Sequence, residues 1–81
     1  MKSLNIQLNS IEKVKSFVNI ISVFDGEFDL GSDRYVVDAK SIMGIFSLDL
    51  SKPLRLDVHS ENEFDSVSQK LEPFIILPEL D

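Results

Sequence analysis

The chain has 81 residues, 43% of them hydrophobic and 27% charged, which suits one small packed domain over residues 1–81 and is too apolar for disorder. Fourteen acidic residues against eight basic ones leave a net charge of −6, a field that repels nucleic acid and anionic membrane surfaces. The absence of cysteine excludes disulfides, a thiolate nucleophile and cysteine-based metal sites, and with no apolar signal core or membrane-length apolar run the cytoplasm is the expected location.

"LNIQL" alternates, with Leu4, Ile6 and Leu8 on one face and Asn5 and Gln7 on the other, which predicts a strand with one wet side. In "NSIEKVKSFVNIISVF" the residues Ile11, Val14, Phe17, Val18, Ile21 and Phe24 fall three and four apart, the pattern of an amphipathic helix of about four turns. Asn9 or Ser10 can cap it, Glu12 in the first turn suits the helix dipole, and Asp25-Gly26 stops it. "EFDL" and "RYVVD" flank Gly31-Ser32-Asp33 as a hairpin, with Phe28, Leu30, Tyr35 and Val37 expected inward.

A short helix follows from Ser41 to about Leu48, apolar for its length and with Gly44 in its middle, although glycine there weakens a helix by about 0.5–1 kcal/mol relative to alanine. "PLRLDVH" predicts a fourth strand, with Leu54, Leu56 and Val58 inward and Arg55, Asp57 and His59 outward. "SENEFDSVSQKLE" predicts a third helix that opens on a Ser60-x-x-Glu63 capping box, buries Phe64, Val67 and Leu71, and ends near Pro73. The tail "PFIILPELD" is apolar but broken by prolines, and either packs back along the body or forms a contact surface. The order β-α-β-β-α-β-α, with clean alternation in the strands, implies an α+β fold: an antiparallel sheet with three helices on one face and solvent on the other.

From "NIQL" to "LEPF" the chain resembles the HPr family, the small phosphocarrier proteins of the sugar phosphotransferase system, most strongly in "KSIMGIFSL", Lys40–Leu48. The resemblance implies an open-faced β-sandwich in which the short second helix meets partner proteins. Ile42, Met43 and Phe46 would be that surface, Ile45 and Leu48 would pack inward, and Gly44 would admit a partner or the first helix closely. The implied partners are proteins, either phosphotransferase-system components or transcriptional regulators. Ser41 aligns with the regulatory phosphoserine of some members, and its simpler reading is an N-cap.

Carriers of this family work through a histidine just before the first helix, with an arginine two residues later and then a proline. Aligned without gaps from "SVFD", those positions hold Ser10, Glu12 and Lys13. The expectation is a non-enzymatic binding or regulatory protein related to the phosphoenolpyruvate-dependent system; the alternative is a carrier using Ser10 or His59 as acceptor. Ser10 otherwise reads as a helix cap and His59, the one histidine, as a surface residue. No cofactor or metal is expected, since one histidine with the scattered acids Glu61, Glu63 and Asp65 lacks ligand spacing.

Overall fold

The computed structural model of the chain describes residues 1–76. The elements are β1 (Lys2–Ile6), α1 (Ile11–Ile21), β2 (Phe28–Gly31), β3 (Val36–Asp38), α2 (Ile42–Phe46), β4 (Leu54–Val58) and α3 (Phe64–Lys70), with single 3-10 turns at Glu61–Glu63 and Glu72–Phe74. The four strands form one antiparallel sheet in the order β1-β4-β2-β3, so the last strand of the sequence lies between β1 and β2. Register runs from Lys2↔Val58 to Ile6↔Leu54 on one side of β4 and from Phe28↔Val58 to Gly31↔Arg55 on the other.

Alternation places the core as the sequence implies. Ile6, Phe28, Leu30, Leu54, Leu56 and Val58 are buried on one face of the sheet, and Val14, Phe17, Ile21, Ile45, Val67 and Leu71 close over them from the helices. Burying a side chain of this size stabilises by about 1.5–3 kcal/mol. Leu8 is also buried, although it lies past the end of β1. Phe74 packs its ring edge against Phe17, with centroids 6.4 Å apart.

Several local expectations need correction. α1 stops at Ile21, where the Ser22 amide bonds the Val18 carbonyl, so Phe24 packs from the following turn against Phe28 instead of from the helix. Ile11 points away from the core and is 62% exposed. Tyr35, expected inward, is 65% exposed, because β3 begins only at Val36 and the tyrosine belongs to the hairpin connection. The capping box does not form. Ser60 makes no cap bond and instead approaches Asn62, while Glu63 reaches across the fold to accept the Gly26 amide at 3.0 Å. A longer-range acceptor role therefore wins over the local one, and α3 starts at Phe64 after a 3-10 turn.

On the open face, Ser3, Asp57, Asp29 and Asp38 stand side by side across all four strands. Like charges directly opposite one another destabilise a sheet, and the flanking groups answer this. The Ser3 hydroxyl donates to Asp57 at 2.6 Å, Arg55 Nε donates to the same oxygen at 3.0 Å, and His59 Nε2 sits 2.7 Å from Asp29. Asp57 is left only 6% exposed on a face that alternation marks as solvated. For the tail, Phe74–Ile76 return to β1, with Ile6 bridged to Ile75; residues 77–81 lie outside the described residues.

Candidate functional site

Antiparallel register gathers three connections at one end of the sheet: the turn from β1 into α1, the β2–β3 tip, and the α2–β4 connection. Ser10 stands at the first of these in extended backbone, and its hydroxyl accepts the Lys13 amide at 3.1 Å as the N-cap of α1. Lys13 also reaches back to the Asn9 side-chain carbonyl at 3.0 Å. Glu12 lies in the first helical turn, placing a carboxylate where the helix N-terminus favours negative charge. The end of α1 is thus already capped by a hydroxyl and carries an anion of its own.

α2 lies against α1 and β3, and its last residue, Phe46, reaches this end of the sheet beside Ser10. It is short, and Ser41 caps it by accepting the Gly44 amide at 3.2 Å. At the other end the Ser47 hydroxyl donates to the Gly44 carbonyl at 2.5 Å. Within the chain the close neighbour of Gly44 is β3 and not the first helix: a Cβ built on Gly44 would sit 3.2 Å from Val37 Cβ and 3.3 Å from the Ser41 hydroxyl. Absence of a side chain lets α2 seat on β3.

The three apolar residues expected at the surface of α2 divide. Met43 is 77% exposed and Phe46 39% exposed, whereas Ile42 is half-buried and leans on the core. Ile45 and Leu48 are buried. Between α2 and the start of α1 runs a shallow groove of about 490 Å³ lined by Asn9, Ser10, Ile11, Phe46, Leu50 and Ser51. Ile11 and Leu50 were not singled out from the sequence as surface residues. For Ile11 a signal existed: it opens the helix, one turn ahead of the core position Val14, where an apolar side chain can overhang the end of the bundle.

Across the third connection, Asp49 accepts from both the hydroxyl and the amide of Ser51, at 2.6 and 3.1 Å. These bonds, the hydroxyl's foremost, hold the Asp49 carboxyl below the usual carboxylate range against some desolvation, with a smaller contribution from the charge of Lys52. His59 does not join this site. It follows Val58, which pairs with Lys2 at the opposite end of the sheet from Ser10, and it is engaged by Asp29. Among the described residues no group of three or more histidine, aspartate or glutamate side chains is placed to hold a metal ion, and no helix is long and apolar enough to cross a membrane.

An open antiparallel sheet covered on one side by helices is the fold of solved HPr phosphocarrier structures. HPr-C-His from Thermoanaerobacter tengcongensis superimposes with a TM-score of 0.75 at 28% identity, over 90% of this chain and 89% of that one. The phosphocarrier protein HPr from Bacillus anthracis str. Ames shares the fold, with a TM-score of 0.64 at 22% identity over 85% of this chain and 92% of that one. No model of a known protein family matches the chain, and no curated protein matches it significantly. The chain is HPr-like, and the likeness runs over nearly its whole length.

Proposed function

We propose that this HPr-like chain is a binding or regulatory protein related to the phosphoenolpyruvate-dependent sugar phosphotransferase system, one that keeps the fold and the contact helix and does not carry a phosphoryl group on histidine. The observation that carries the reading is the start of α1. Where the family resemblance places a phosphohistidine, Ser10 is occupied as a helix cap, and Glu12 supplies a carboxylate where a phosphate would have to sit. Like charges at that range repel, more strongly as solvent is excluded. Of the two alternative acceptors, Ser10 is spent on the cap and His59 is paired at the far end of the sheet, which favours the non-carrier reading.

The contact surface of this reading is Met43 and Phe46 with Ile11, around the groove at the start of α1, and Ile42 contributes its outer edge. The partner is a protein, because the exposed groups are apolar and the chain is acidic. Ser41 is the regulatory position of the same proposal: a phosphate there would stand beside Met43 and Lys40 and alter which partners dock.

Incubation of the intact chain with phosphoenolpyruvate and enzyme I tests the first part. The expected result is no phosphate on the chain while a histidine-bearing HPr in the same tube is labelled. An acid-labile phosphate on His59, or phosphoserine at Ser10, overturns the reading. For the surface, Phe46→Asp should abolish partner binding and leave the folding transition in place.

A further inference from the structure

β3 is an edge strand, and among the described residues nothing pairs with its outer side. Such an edge presents amides and carbonyls that can pair with another chain. Two bonds fix which of them point outward. The Ser32 amide donates to the Tyr35 carbonyl at 2.9 Å and the Ala39 amide donates to the Phe28 carbonyl at 3.0 Å, so Tyr35, Val37 and Ala39 turn their backbone groups toward β2. By alternation the amide and carbonyl of Val36 and the amide of Asp38 face away from the sheet. The Asp38 carbonyl accepts the Ser41 amide at 2.9 Å.

The side chains along this edge carry a pattern of their own. Val36 is 58% exposed. Asp38 ends the row of acidic groups on the open face, where Asp57 has Arg55 beside it and Asp29 has His59. Asp38 accepts the Lys40 amide at 2.9 Å but makes no ion pair among the described residues. Arg34, exposed at the hairpin tip, makes none among them either. In "RYVVD" these two opposite charges stand two residues to either side of Val36, so the segment is complementary to itself when reversed.

We propose that β3 pairs antiparallel with β3 of a second copy of this chain, about a two-fold axis at Val36, and so joins two four-stranded sheets edge to edge. On that axis Val36 of each copy exchanges both backbone bonds with Val36 of the other, the pairing for which its outward amide and carbonyl are oriented. Arg34 falls opposite Asp38 of the second copy, and the symmetry makes the same ion pair twice. Charge selects this register. Pairing centred on Val37 sets Arg34 against Lys40, pairing centred on Asp38 opposes two carboxylates, and pairing centred on Tyr35 leaves both charges unmatched. The occupant is a second copy and not an unrelated strand, because the segment supplies its own complement. A contact this short between two chains of net charge −6 makes a weak, reversible dimer.

Sedimentation velocity over a range of concentrations, with NMR hydrogen exchange, tests this on the intact chain, Arg34→Asp and Asp38→Arg. The parent should dimerise as it is concentrated, and its Val36 amide should exchange more slowly as it does so, while the Val37 amide stays protected at every concentration. Each single variant opposes like charges at both ends of the pairing and should raise the dissociation constant about tenfold or more. An equimolar mixture of the two variants restores both opposite-charge pairs at the parent's total charge, and should recover the dimer as a mixed species. A parent that stays monomeric up to about 1 mM overturns the proposal. So does a Val36 amide whose exchange ignores concentration, a reading that needs no variant to fold. A dimer indifferent to both substitutions also overturns it, and would assign self-association to another surface.

Discussion

Converting the start of α1 into a phosphate site should weaken the fold, and the size of the loss follows from what the residues there do. Ser10→His removes the hydroxyl that accepts the Lys13 amide, a cap whose loss costs about 1 kcal/mol. Glu12→Arg removes a favourable first-turn carboxylate and installs a cation against the helix dipole, each change amounting to about 0.3–1 kcal/mol. The double variant should therefore be about 2 kcal/mol less stable, a fall in Tm of about 8–16 °C for a domain of this size. Scanning calorimetry and urea denaturation at unchanged m-value measure it. The same variant, incubated with phosphoenolpyruvate and enzyme I, should accept phosphate on the new histidine, incompletely because Lys13 still stands where the family has proline. A double variant as stable as the parent would refute the reasoning, since it would mean that neither the cap nor the dipole charge holds α1.

Glu63→Ala should cost about 1.5–3 kcal/mol through loss of a charge-assisted bond to a part-buried amide, while Ser60→Ala changes stability by less than about 0.5 kcal/mol; comparable losses would restore the local capping box. Ser51→Ala should raise the Asp49 midpoint in an NMR titration. Because that carboxyl is held low in the folded state, its contribution is present above its unfolded value and fades as pH falls through the folded one, and the substitution should shrink that acid-limb dependence.

Most of the core could be read ahead of the structure from period. The two-residue alternation of Leu4, Ile6, Leu54, Leu56 and Val58 and the helical spacing of Val14, Phe17 and Ile21 identified the core faces, because a slip of one residue would have turned every one of them into water. What escaped depends on neighbours distant in sequence. Glu63 reads as a capping residue until Gly26 arrives beside it, and Asp57 reads as exposed until Ser3 and Arg55 close over it. Helix length also escaped: the apolar spacing continues to Phe24, but α1 gives way to a turn after Ile21, and Phe24 reaches the core from that turn. At the site, the capping role of Ser10 was legible because caps are local, whereas the place of Ile11 on the groove follows only from where α2 comes to rest.

The position of β4 between β1 and β2 has a consequence for how the chain acquires its shape. Only the β2–β3 hairpin joins strands close in sequence; β1 waits for partners from Leu54 to Val58, more than half the chain away. A topology so rich in long-range pairing has a high contact order, and its folding is limited by closing a large loop more than by forming helices. During synthesis, α1 and the hairpin can take shape as they leave the ribosome, but the sheet has no middle until β4 has emerged. Until β4 arrives the apolar sides of β1 and α1 lack the strand that completes the sheet beneath them, so the sheet forms cooperatively once β4 pairs with β1 and β2.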